Sequence, residues 1–411
     1  MIIKKVIAKE VENSRREKTI QIILKTNQGK YEAFAPSGAS TGKYEVVAFP
    51  VGGVKHSIDF INKTLNDKLK NYEISKFDDF VVFEEFLHKF DPTPNWTGMG
   101  GNAVVALEFA CLKAISKNYV WKFINPGADT VPRPLGNVIG GGKHIKKPGC
   151  DFQEFLLFST DAKTFSKAVK ANRAVYDLVY SHLKKRDVTF RGEVTDEGAW
   201  APNLTNSEIL DVLRIVTRDV GLSMELTVRM GLDVAASSFF DGKNYVYKNF
   251  SKDNKQRMLS KDEQISYISG LIKTYNLSYV EDPLEQEDFE GFARLRKLNP
   301  NTFICGDDLI ATNPERLKTA IKKKSINTVI VKPNQIGSII KVKEVIDLSK
   351  KNDIFAIISH RSGETKDTTI SDLAVGFGVP LIKCGIVGKE REAKINAIKK
   401  IEEQIRDSKE I

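Results

Sequence analysis

The chain of 411 residues has little cysteine: Cys111, Cys150, Cys305 and Cys384 lie far apart, with no C-x-x-C pair among them. That spacing excludes a dense disulfide framework and a paired-cysteine zinc site, and it suits small buried hydrophobes in a reducing cytoplasm. No apolar run approaches the ~20 residues that a bilayer-spanning helix needs, and the opening MIIKKVIAKEVENS mixes lysines with acids where a secretory leader would be apolar. No membrane segment is expected, and the expected location is cytoplasmic. Low-complexity tracts and close repeats are also missing. Two glycine-rich stretches fall short of a nucleotide-phosphate loop. Gly38 and Gly42 in PSGASTGKYE enclose too few residues and Tyr44 follows Lys43, while NVIGGGKH has His144 where a hydroxyl is required.

Charge is plentiful. Lysine and arginine outnumber aspartate and glutamate by 63 to 53, a formal net charge of +10. Such an excess suits acidic partners, yet the lysines are interleaved with acids, as in KNYEISKFDDF and KKIEEQIRDSKE. The pattern is that of a solvated surface, and no specific nucleic-acid partner is expected.

Alternating patterns in TIQIILKT and KYEAFAP, separated by the turn signal Asn27–Gly29, predict a hairpin. Helical patterns follow in FVVFEEFLHKF and GNAVVALEFACLKAIS. The segment NPGADTVPRP, Asn125 to Pro134, has no periodicity and marks the best domain boundary, giving units 1–128 and 129–411. Beyond it, short apolar strands alternate with amphipathic helices, and the strands end in Asp233, Glu281, Asp307, Lys332, His360 and Lys383. From Glu281 onward the separations are 26, 25, 28 and 23 residues, the length of one strand, one helix and two loops. A period of that size predicts a (β/α) barrel, in which every strand delivers its last residue to one face.

Three carboxylates converging on a barrel mouth repel one another unless a cation sits between them, and Mg²⁺ with its preference for hard oxygen ligands meets that need. Lys332, Lys383, His360 and Arg361 add positive groups suited to an anionic, phosphorylated substrate. A lysine beside metal ions can have its pKa lowered and act as a base.

The ordered segments PSGASTG, DFQEF, TDEGAWAPN, LDVAAS, VEDP, GDDLIATNP, VKPNQIGS and SHRSGETKDTTISDL resemble the enolase family almost from end to end. The resemblance implies an α/β chain: an N-terminal α+β capping domain (1–128) with a mobile lid loop, followed by an enolase-type (β/α)8 barrel (129–411). It implies dehydration of 2-phosphoglycerate to phosphoenolpyruvate with two Mg²⁺ per site, in a homo-oligomer of glycolysis and gluconeogenesis. Asp233, Glu281 and Asp307 match the ligands of the first Mg²⁺, and Ser40 matches the loop residue that closes over the substrate and helps to bind the second. Lys332 matches the base that removes the C2 proton, and Glu197, with Glu154 beside it, the acid that assists departure of the C3 hydroxyl. Lys383 is similar to the carboxylate-binding lysine, Arg361 and Ser362 to the phosphate binders, His144 and His360 to the site histidines, and Gln153 to a site-lining position.

Several stretches depart from the family. NSRREKT stands where enolases usually read DSRGNPT, Ile145 replaces an alanine site, and Ser238 replaces a glutamate. These changes leave open an enolase-like paralogue acting on another 2-phospho-hydroxy acid, and the lysine excess leaves open a secondary RNA- or surface-binding role. His56, His88 and His182 match nothing in the site, Lys43 and Lys143 are expected in solvent, and Asp196 and Asp308 are expected to orient their neighbours. Trp200 is expected either in the core or against Glu197.

Overall fold

The computed structural model describes residues 1–38, 42–145 and 147–409; Ser40 lies outside them. Strands β1 (Ile3–Glu12), β2 (Lys18–Thr26) and β3 (Gly29–Phe34) form an antiparallel sheet in that order. The predicted hairpin is β2–β3: Thr26 pairs with Gly29, whose φ of 137° lies in the region that favours glycine. One face of the sheet packs on the helix Gly101–Ile115, of which every residue from Gly101 to Leu112 is buried. A helix apolar all round must be covered on all sides, and here the barrel segment Pro333–Ile336 lies against it as well.

The outer edge of β1 is not bare. In the π-helical turn Phe60–Leu65, Asn62 accepts from the Ala8 amide at 2.8 Å and donates to the Ala8 carbonyl at 3.0 Å, and the next helix's Asn66 accepts from the Val6 amide at 3.0 Å.

No helix or strand lies between Ile124 and Arg133. The second part of the chain then closes an eight-stranded barrel in the order Arg133–Gly140, Glu154–Phe158, Arg229–Asp233, Tyr279–Glu281, Phe303–Gly306, Thr328–Val331, Phe355–Ser359 and Leu381–Lys383, the last pairing with the first. Seven strands run in one direction; Glu154–Phe158 is antiparallel to both neighbours. The reason is local, since a parallel partner needs a helical crossover and only a short 3₁₀ turn, Gly142–His144, separates the first two strands. The reversal matters for chemistry: it brings the first residue of that strand, Glu154, level with Asp233 at the mouth. Asp233, Glu281 and Lys383 end their strands, and Asp307, Lys332 and His360 are the first residues beyond theirs.

Side chains from the first part of the chain seat it on the barrel. Lys113 and the Phe34 amide both donate to Asp367, at 2.8 and 3.0 Å. Glu108 accepts from the Ile339 amide at 3.0 Å and Glu84 from the Ser338 hydroxyl at 2.8 Å, so two carboxylates meet the N-terminus of the helix Ile339–Lys351, where the peptide dipoles favour negative charge. Among the described residues no helix is long and apolar enough to cross a membrane.

Candidate active site

A cavity of about 220 Å³ opens at the mouth. At its floor the Lys383 ammonium donates to Glu281 at 2.8 and 2.9 Å and to Asp233 at 3.1 Å, and it lies 2.7 Å from Glu154. All four side chains are almost fully buried. Burial and the neighbouring Asp233 push the Glu281 carboxyl well above its ordinary range, although Lys383 opposes the shift. Burial also raises Asp233, again against Lys383. Gln153 reaches the same group, its amide 3.4 Å from Asp233.

On the next strands Lys332 makes a short hydrogen bond to Asp307. Burial alone would raise Asp307, but the Lys332 charge wins and holds it low; burial would lower Lys332, yet Asp307 holds that ammonium high. Asp282, which the sequence reading passed over inside VEDP, organises this corner. Its carboxylate accepts from the Asp307 and Asp308 amides at 3.0 and 2.7 Å, and its own φ is 42°. Asp308 lines the cavity beside Asp307; burial and that neighbour push its carboxyl up to about 6.

Lys332 and Glu154 come from diametrically opposite strands, the sixth and the second of the eight in the order given above. Glu154 faces Glu197, which His360 approaches to 3.7 Å and Asn137 to 3.4 Å. Burial pushes Glu154 up despite Lys383. Burial acts on Glu197 as well, but His144 and Arg391 more than offset it and hold that carboxyl low. The two carboxyls are thus pushed in opposite directions, Glu154 up and Glu197 down. Trp200 is not the group that tunes Glu197: it stacks on Tyr176, with ring centres 4.7 Å apart, and donates to the Tyr176 carbonyl. Burial, with Arg391 and Lys383 nearby, pushes His360 well below its ordinary value, so its imidazole is neutral. The buried Nδ1 atoms of His144 and His360 have no hydrogen-bond partner among the described residues.

Arg361 and Ser362 line the wall beside Lys332. Arg361 makes a two-pronged pair with Glu45 at 3.0 Å and donates to Asn334. Asp196 pairs with Arg15 at 3.0 Å, and exposed Lys43 with Glu287 at 3.3 Å. His88 stacks on Trp96, away from the site. The sequence reading gave Glu45 and Asn137 no role. Glu45 closes the glycine-rich stretch, and Asn137 is the one amide in the apolar run PLGNVIG.

The donor set suits a hard divalent cation. Glu154, Glu197, Asp233, Glu281, Asp282, Asp307 and Asp308 crowd two ammonium groups, those of Lys332 and Lys383. Oxygens of Asp282, Asp307 and Asp308 lie within 4.8 Å of one another, as do ligand atoms of His144, Glu154 and Glu197. Carboxylates in such surplus call for positive charge, and oxygen ligands of this kind favour Mg²⁺-like ions over soft metals.

Residues 3–124 match the family description "Enolase, N-terminal domain" and residues 128–410 "Enolase, C-terminal TIM barrel domain". Among curated proteins the chain is 39% identical to "Enolase" of Methanothermobacter thermautotrophicus over 98% of its own length and 97% of the relative's. It is 37% identical to "Enolase" of Archaeoglobus fulgidus and 34% to that of Thermoplasma acidophilum, with 98% of each chain covered in both comparisons.

Proposed function

The chain belongs to the enolase family and is a phosphopyruvate hydratase; from that premise we propose that its substrate is 2-phosphoglycerate, that two Mg²⁺ bind per site, and that Lys332 and the Glu154–Glu197 pair move the protons. The observation that carries this reading is the opposition of Lys332 and Glu154 across one cavity. A base on one wall and a carboxyl pair on the other is what loss of a C2 proton and a C3 hydroxyl from opposite faces requires.

Asp233, Glu281 and Asp307 would hold Mg²⁺, which would supply positive charge to stabilise the negative charge developing on the substrate. Lys332 becomes a base once Asp307 is engaged elsewhere, because burial, Arg361 and Lys383 lower its pKa and Asp307 is the largest charge that opposes them. Lys383 binds the substrate carboxylate. Arg361 and Ser362 take the phosphate, and Ser40, outside the described residues, keeps the ligand role that the resemblance implies for it. The Glu154–Glu197 pair holds the proton that leaves with the hydroxyl, oriented by Asn137 and neutral His360. His144 and Gln153 complete the wall.

The division into a capping unit of residues 1–128 and a catalytic unit of residues 129–411, a cytoplasmic location and a homo-oligomeric state belong to the same reading. Purified protein with Mg²⁺ and 2-phosphoglycerate is expected to produce phosphoenolpyruvate absorbance, and EDTA to stop it. A folded, Mg²⁺-loaded sample with no turnover refutes the reading, and faster turnover of another 2-phospho-hydroxy acid moves it to a paralogue.

A further inference from the structure

Beneath the mouth the barrel is filled by an apolar layer that includes Leu156, Ile330 and Ile357. Among the described residues of that layer, Tyr279 alone carries a hydroxyl. Tyr279 stands two residues before Glu281 on one strand, so both side chains point to the same side. The Tyr279 hydroxyl donates to Glu281 Oε2 at 2.6 Å, from a side chain with no solvent exposure. Its ring has a prepared seat. Gly231, paired with it on the adjacent strand, leaves no room for a side chain, since a Cβ there would lie 2.9 Å from Tyr279 Cβ and 3.0 Å from its ring.

A buried phenol needs an acceptor, and the acceptor here is a carboxylate at the centre of the donor set. Lys383 also binds both Glu281 oxygens, but an ammonium at that place competes with a metal ion for the same charge. A neutral hydroxyl does not. It occupies one lone pair from below and fixes the plane of the carboxylate, leaving the remaining lone pairs directed into the cavity. We propose that Tyr279 is a positioning residue for the cation site, holding Glu281 in the orientation that a divalent ion binds. The inference rests on the reading that Asp233, Glu281 and Asp307 take such an ion, and it adds a member that touches neither ion nor substrate.

Partners of metal ligands typically contribute about 10- to 100-fold in affinity. The test is Mn²⁺ binding to the full chain, followed by calorimetry and by electron paramagnetic resonance of the free ion, for wild type, Tyr279→Phe and Ile330→Val. The valine variant loosens the same layer without touching Glu281. Tyr279→Phe is expected to bind Mn²⁺ at least 10-fold more weakly than wild type, and Ile330→Val within about twofold of it. Equal affinity in wild type and Tyr279→Phe, or an equal loss in both variants, overturns the inference. Wild type that binds no Mn²⁺ overturns the cation reading itself, a separate result. Should Tyr279→Phe fail to fold, Gly231→Ala keeps the hydroxyl but displaces the ring, and unchanged Mn²⁺ affinity there overturns the proposal equally.

Discussion

The seam between the two parts of the chain and the mouth of the barrel both bury charge, in opposite ways. At the seam the buried Lys113 ammonium meets the Asp367 carboxylate as a matched pair. Asp367 shows the result. Burial would raise its carboxyl, but Lys113 and the Thr369 hydroxyl hold it below the ordinary range. At the mouth the carboxyl groups of Glu154, Glu197, Asp233, Glu281, Asp282, Asp307 and Asp308 outnumber the buried ammonium groups of Lys332 and Lys383, and Glu281 is pushed well above its ordinary range. Matched charges fix a position, because removing one strands the other. Surplus charges do the reverse, leaving a site whose own energy is lowered by an arriving cation.

The contrast can be broken most sharply at Lys332. Lys332→Ala is expected to lower kcat by at least about 10³-fold, the scale of a lost general base, and in EDTA to lose stability as well, because Asp307 is left without its counter-charge. A variant that keeps a tenth of wild-type activity would place the base elsewhere. At the seam, Asp367→Asn is expected to cost about 3 kcal/mol in urea unfolding at pH 7, because it leaves Lys113 buried without its counter-charge. The sign with pH follows from the lowered carboxyl. Its contribution is complete above the unfolded value of about 3.9 and fades as pH falls through the folded value below it, so wild type and Asp367→Asn should converge in stability toward pH 3. A gap independent of pH would show that the pair does not act through charge. The smallest effect has the opposite direction: in EDTA, Glu281→Gln is expected to be more stable than wild type by about 1 kcal/mol, since a neutral amide removes part of the crowding. If that variant is destabilised instead, the mouth is as well matched as the seam.

Much of the mouth was legible because a barrel spaces its strand ends evenly, and Glu281, Asp307, Lys332, His360 and Lys383 carry reactive groups at that spacing. The reversed strand escaped that spacing, and only the resemblance of DFQEF pointed to Glu154. Glu154 begins its strand, and a periodic reading looks only at strand ends. Tyr279 was hidden by its surroundings, since an aromatic between apolar neighbours reads as core and only its distance to Glu281 shows what its hydroxyl does. Asp282 and Glu45 sat inside motifs whose more familiar members drew the attention. The opposite shifts of Glu154 and Glu197 depend on Arg391, His144 and Lys383, groups far apart in sequence, and no local pattern encodes them.

The two asparagines beside β1 amount to a strand built from side chains: primary amides stand in for a neighbour that the sheet does not have. Where they sit, a foreign peptide cannot add itself to the row, which is how fibril growth begins on naked strands. A nascent or clipped chain that had lost the stretch bearing Asn62 and Asn66 would expose that row, so the modest turn around Phe60 guards the protein's solubility as much as its shape.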